Sequence, residues 1–375
     1  MKKFLYVAAA FLAAGFVSCS ENNGDDLNAP VAGSDLAPIR FDLGNGRVNI
    51  EQKAAATRGK GAVGDVDGTN NVWNGEELKV YMFDKGTLDL ALDKTYDNSP
   101  LFDNASIIAT AGADVVEAAT QKYYPMQGNF DFFAYHVDNA ATVINGEAAI
   151  PTLNVDKYII PVTIDGSQDL MVAKAELTTD QEALLPAEKA DDYYSAFSAR
   201  KGVNPHFKFQ HLLTRLTFEV KAATTDDEAV VIKGVEIDNA NTTADMVVAY
   251  TAAPAELLDN QANPATVSLK DANGAAFAET NPSAVDFNRI GESLMLMPQA
   301  EYNMIIRMTQ TVNGVERTVD YPYTLKSEKL GLTSFEAGKQ YNVKFTVYGL
   351  SVIKLELELT AWKDGGNLEV DDNEI

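Results

Sequence analysis

The chain is punctuated into short β-branched and aromatic runs, and no long stretch carries a helical period. Residues 78–83 (Leu-Lys-Val-Tyr-Met-Phe), 130–135 (Phe-Asp-Phe-Phe-Ala-Tyr) and 158–162 (Tyr-Ile-Ile-Pro-Val) are such runs, bounded by Gly, Asn and Asp. Residues 215–220, 230–237 and 294–297 continue the series. Residues 302–309 and 316–323 flank Asn313-Gly314, a pair that reaches positive φ readily and so favours a two-residue hairpin turn. Short helical pieces are expected only near residues 181–199 and 253–261, where Ala, Leu and Glu cluster. Many strands with turns between them and no alternating helices predict an all-β chain, most simply two sandwiches. The Ala/Asp/Tyr-rich stretch around residues 181–203 is the expected boundary.

The N-terminal end is of another kind. Lys2 and Lys3 precede an uncharged apolar run over residues 4–17, the length of a signal-peptide core and too short to span a membrane as a helix. The run closes on Phe16-Val17-Ser18-Cys19, which resembles the lipobox of bacterial lipoproteins with Phe16 where Leu is usual. Residues 1–18 therefore read as a signal peptide and Cys19 as a lipid-bearing N-terminus, whose acyl chains supply the apolar anchors that stable attachment needs. Cys19 is the single cysteine, so no intramolecular disulfide can staple the fold. Residues 19–37 are polar and rich in Gly, Asn and Asp, with Glu21, Asp25 and Asp26 close behind the cysteine, and read as a flexible tether.

The formal net charge is −24, and more negative once Lys2 and Lys3 are removed, which makes nucleic acid and anionic lipid headgroups poor partners. Catalytic chemistry is thinly supplied. His136, His206 and His211 are the whole imidazole complement. His206 and His211 are an odd number of residues apart, which puts them on opposite faces of an extended strand. The sequence holds no nucleophile elbow, phosphate-binding loop, paired His-Glu zinc motif or Ca²⁺ loop. Acidic pairs such as Asp191-Asp192 and Asp226-Asp227 read as solvated loop charges. A carboxylate hydrolase needs no local motif, but nothing in the sequence favours one. No cofactor, metal or enzymatic activity is expected.

Two segments invite a different reading. Ile39, Phe41 and Leu43 alternate with Arg40 and Asp42, and Val48 and Ile50 alternate with Asn49 and Glu51, the pattern of a strand with one face on a core. Arg58-Gly59 follows, then a glycine-rich stretch over 59–64 that reads as a loop open to proteolysis. A cut there would let the strand leave. Near the other end Ile353, Leu355, Leu357 and Leu359 alternate with Lys354, Glu356, Glu358 and Thr360. This segment is either a resident core strand or one donated to another molecule; residues 367–370 are the second candidate donor.

Several segments in order resemble the fimbrillin family, the lipoprotein subunits of type V pili. They are Ala56-Thr57-Arg58-Gly59, residues 73–82 from Trp73, Tyr123-Tyr124-Pro125, residues 168–173, residues 207–220, residues 293–298, Gly338-Lys339-Gln340-Tyr341, and Ala361-Trp362 with Gly365-Gly366. The resemblance implies two tandem transthyretin-like β-sandwich domains, over 38–195 and 196–375, with the first strand removable up to Arg58. It also implies a lipid-anchored outer-membrane precursor, cleavage by an arginine-specific protease at Arg58-Gly59, and assembly with other fimbrial subunits by strand exchange. The competing expectation is a glycan-binding surface lipoprotein accessory to polysaccharide uptake, with Trp73, Tyr123 and Tyr124 as stacking platforms.

Overall fold

The computed structural model describes residues 36–43, 75–92, 100–109, 115–137, 143–144, 147–148, 152–187, 193–226, 229–252, 255–259, 264–271, 274–275, 277–350 and 352–360. The first strands are β1 (Phe41–Asp42), β2 (Glu77–Asp84), β3 (Ala105–Ile108), β4 (Val115–Val116) and β5 (Phe130–Val137). Next come β6 (Val143–Ile144), β7 (Glu147–Ala148), β8 (Thr152–Asn154), β9 (Lys157–Thr163) and β10 (Leu170–Lys174). Two helical turns, α1 (Thr179–Glu182) and α2 (Ala196–Arg200), separate these from β11 (Gln210–His211), β12 (Thr214–Ala222), β13 (Val230–Asn241) and β14 (Thr243–Tyr250). The series ends with β15 (Leu257–Asp259), β16 (Pro264–Ser268), β17 (Asn288–Leu296), β18 (Glu301–Val312), β19 (Val315–Lys326), β20 (Gln340–Tyr348) and β21 (Val352–Thr360). The all-β expectation holds.

A five-stranded sheet runs β11-β10-β5-β2-β3. It is buried on both faces, which is why β5 is apolar almost throughout and buried along all but its last residue. On one face Val80, Met82, Phe132, Ala134 and Met171 join a cluster with Ile39, Phe41, Phe102, Tyr194 and Phe207. On the other, Tyr81, Phe83, Phe133 and Val172 pack against Ile160 and Val162 of β9 and Ala244, Met246 and Val248 of β14. The alternation of neighbours between the two clusters is the period of two acting on a central sheet.

β9 and β14 belong to a second sheet, β15-β14-β9-β8, which joins strands from either side of residue 195. β13, a strand of a third sheet, β16-β13-β18-β19, runs almost directly into β14 of that second sheet. The fourth, β17-β12-β20-β21, faces the third across a cluster that includes Phe218, Val220, Ile232, Ile306, Val343 and Phe345. β12 and β20 pair in parallel, whereas the other named strand pairs are antiparallel.

Local chemistry fixes several element ends. Thr178 and Ser195 open α1 and α2 with reciprocal capping boxes to Gln181 and Ser198. Asn313 and Gly314 take φ of 53° and 78°, and Val312 pairs with Val315 across them, as the two-residue hairpin requires. The short helix expected over 253–261 is corrected: Leu257–Asp259 is β15, paired with β14. An open sheet edge gives its backbone a ladder of partners, and that outweighs the helix propensity of Ala, Leu and Glu. β21 is resident in the fourth sheet, in register with β20 from Val352 to Thr360, and Ile353, Leu355 and Leu357 are buried.

Candidate functional site

The site is the slot that holds the β1 segment, residues 36–43. Over these residues the alternation holds: Ala37, Ile39, Phe41 and Leu43 are at most 2% exposed, while Arg40 is exposed and Asp42 is half-buried. Phe41 lies at the centre, with ring centroids 5.3 Å from Phe102, 5.8 Å from Phe132 and 5.7 Å from Phe207. Burying Ile39, Phe41 and Leu43 is worth roughly 5–9 kcal/mol together at about 1.5–3 kcal/mol each. That is comparable with the whole stability of a typical domain, about 5–15 kcal/mol. A vacated slot is therefore a strong acceptor.

The backbone of the segment is held on both sides. Along one flank Phe41 and Asp42 pair antiparallel with Val116 and Val115 of β4. On the same flank Ile39 donates its N–H to Lys122 and Ala37 accepts from Tyr124, each at 2.9 Å. Along the other, Asp42 donates to Pro205 at 2.9 Å and accepts from Phe207 at 3.0 Å, bridging in parallel at His206. These partners, β4 and the loops around residues 122–124 and 205–207, are distant in sequence, so the segment fills a groove built by the rest of the chain.

Charges mark the outer face of the slot. Arg40 Nε donates to Glu117 Oε1 at 2.7 Å on the β4 side. Asp42 Oδ2 is 3.1 Å from His206 Nδ1 on the other side. The latter contact is close without hydrogen-bond alignment, so its attraction is that of charge when the ring is protonated. Beneath the slot the Tyr124 hydroxyl is buried with no hydrogen-bond partner among the described residues. Burial pushes its phenol well above the ordinary value, and neighbouring Tyr194 adds to the shift. An unsatisfied buried hydroxyl costs about 1–3 kcal/mol. Tyr124→Phe is accordingly expected to leave the thermal midpoint unchanged or raise it, whereas a clear drop would mean that the hydroxyl is satisfied.

The remaining candidates fall elsewhere. Cys19, Arg58, Gly59, Val48, Ile50, Trp73 and residues 361–375 lie outside the described residues. Tyr124 is in the core and closed to a sugar, while Tyr123 is 39% exposed. The three histidines go to separate places: His136 Nδ1 lies 2.9 Å from the Glu77 carbonyl oxygen, His206 faces Asp42, and His211 Nδ1 lies 2.6 Å from Asp169 Oδ2. Among the described residues no three His, Cys, Asp or Glu side chains are placed to hold a metal ion, and no helix is long and apolar enough to cross a membrane. The Asp169–His211 pair carried no signal in the sequence, since Asp169 is one of many acids and its partner is far along the chain.

A family model described as fimbrillin-like matches residues 66–362. The chain belongs to the fimbrillin-like family. Membership makes it a fimbrial-type cell-surface subunit. No curated protein sequence matches it. Solved structures similar to this fimbrillin-like chain include a candidate cell adhesion protein from Bacteroides uniformis, with 16% identity, 89% of this chain and 100% of that one covered, and a TM-score of 0.49. Another from Bacteroides ovatus has 14% identity, covers 88% and 99%, and scores 0.44. A candidate adhesin from Bacteroides thetaiotaomicron has 12% identity, covers 80% and 91%, and scores 0.35. Likenesses this distant bear on neither substrate nor partner.

Proposed function

We propose that the chain is a structural subunit of type V pili, exported as a lipoprotein on Cys19, cut after Arg58 by an arginine-specific protease, and assembled by strand exchange. The observation that carries this reading is the β1 slot. A segment of residues 36–43 that supplies apolar side chains to the core, and lies just upstream of Arg58, plugs a groove with backbone partners on both sides. Cleavage makes the plug a separate piece of chain. Its departure leaves apolar walls and unpaired backbone that only another strand can satisfy. Fimbrillin-like family membership supports the surface location and the assembly with other fimbrial subunits. Division into a 38–195 domain and a 196–375 domain is part of the same proposal.

The lipid anchor accounts for the order of events: the precursor is held at the outer membrane until the cut severs Cys19 from the body. In cells with the processing protease, Arg58→Ala is expected to stay uncut, to partition into detergent and to be absent from high-molecular-weight surface material. Adding Cys19→Ala is expected to abolish the detergent partition. Filaments of normal length built from uncut Arg58→Ala protein would refute the exchange scheme.

A further inference from the structure

Three lysines come together on the outer face of the fourth sheet, in a chain whose formal net charge is −24. Along β12 and β20 the core takes Phe218, Val220, Val343, Phe345 and Val347. The residues between them, Lys221, Lys344, Thr346 and Tyr348, therefore stand on the outer face. Lys221 is in register with Thr346, and Thr346 with Lys354 of β21. Neighbouring strands are about 4.8 Å apart, so Lys221, Thr346 and Lys354 form one row roughly 10 Å across. Lys344 lies in the next row.

Phe287, just before β17, completes the patch. The Nζ atoms of Lys221 and Lys344 are each 5.9 Å from its ring centroid, at the outer limit of a cation–π contact. The ring is half-buried, so part of it is open to solvent, and Tyr348 at the end of β20 is exposed. Two acids stand beside particular lysines: Glu219 Oε2 is 3.9 Å from Lys344 Nζ, and Glu356 Oε1 is 3.5 Å from Lys354 Nζ. Lys221 has no carboxylate partner among the described residues. The excess positive charge is small and centred on Lys221 and the ring.

That excess sets the charge of a ligand. Nucleic acid, with one negative charge per about 1.7 Å of duplex, would be repelled by the rest of so acidic a chain. A ligand with one carboxylate gains the lysines without that repulsion. A partly open aromatic ring beside hydroxyl and ammonium donors suits a pyranose, which has an apolar C–H face and a polar edge. An acidic peptide would present no such flat apolar face.

We propose that this patch binds a glycan through one carboxylated pyranose. The carboxylate sits between the ammonium groups of Lys221 and Lys344, the C–H face of the sugar lies on Phe287, and Thr346 meets a sugar hydroxyl. Charge-assisted hydrogen bonds to the carboxylate supply orientation as well as attraction. The site lies on a different sheet from the β1 slot and stands whether or not strands are exchanged. Repeated on every subunit of a filament, a weak site gains avidity.

The test is calorimetric titration of the full-length protein in detergent with sialyllactose, with a disaccharide ending in glucuronic acid, and with lactose. Saturable binding of at least one acidic sugar, with lactose about tenfold weaker or more, is the expected result. The better of the two acidic sugars identifies the source of the carboxylate. Lys221→Gln and Lys344→Gln each remove a charge and keep a polar side chain. Each is expected to weaken that binding about tenfold while leaving the unfolding midpoint in place. Lys233→Gln, on β13 and paired with Glu279, is the comparison and should bind as the parent does. Equal affinity for lactose, unchanged affinity in Lys221→Gln, or no saturation by either acidic sugar would overturn the assignment. So would a preference for heparin or for a synthetic acidic peptide.

Discussion

Phe41→Ala is expected to destabilise the uncut protein by about 3–5 kcal/mol, the range for truncating a buried aromatic ring. Phe41 has no exposed surface and touches rings from three separate parts of the chain. The cavity left behind cannot collapse easily, because Phe102, Phe132 and Phe207 are each fixed by other neighbours in the same cluster. Arg40→Ala, on the opposite face of the same segment, removes only an exposed pair with Glu117 and should cost no more than about 1 kcal/mol. Urea unfolding of the two variants measures the contrast directly. The same truncation should weaken the hold of the cleaved leader on the slot, so the two pieces of a nicked Phe41→Ala protein should separate faster than those of the nicked parent. Equal midpoints for the two variants would place β1 outside the core.

The second large effect is expected at Asp169. Its carboxylate is fully buried, with Oδ2 2.6 Å from Nδ1 of the nearly buried His211. The pair ties the start of β10 to β11, where Met171 and His211 are in register. It therefore joins chain from before residue 195 to chain after it. Removing one member of a buried, hydrogen-bonded pair takes that partner from the other, at a cost of about 1–3 kcal/mol. Asp169→Ala is expected to lower the unfolding midpoint accordingly. The surface pair Arg307–Asp320 is the comparison, since both groups there are more than two-fifths exposed and solvent screens their attraction. A small effect at Asp169 would mean that the imidazole finds another partner when the carboxylate is gone.

What could be read from the sequence was local in origin. The alternation over residues 39–43, the Asn313-Gly314 turn and the alternation in β21 all depend on neighbours a few residues away, and each has the structure that its pattern implies. What could not be read depends on partners far along the chain. Nothing in residues 157–163 announces that β9 pairs with β14, nor in residues 214–222 that β12 lies parallel to β20. The helical expectation over 253–261 failed for the same reason: propensity speaks for the isolated segment, and a distant sheet edge decided its state. The site divides in the same way. The apolar face of β1 was visible in its own residues, whereas Glu117 and His206, which read its charged face, became candidates only once the fold brought them to its flanks.

The account turns on whether β1 leaves. Its most direct test is N-terminal sequencing of this protein recovered from filaments sheared off the cell surface. Removal of the leader requires the mature chain to begin at Gly59, with Cys19 and residues 36–43 absent from the covalent subunit. A blocked, lipid-bearing terminus at Cys19 in assembled filaments, or filaments that lack this protein altogether, would contradict it.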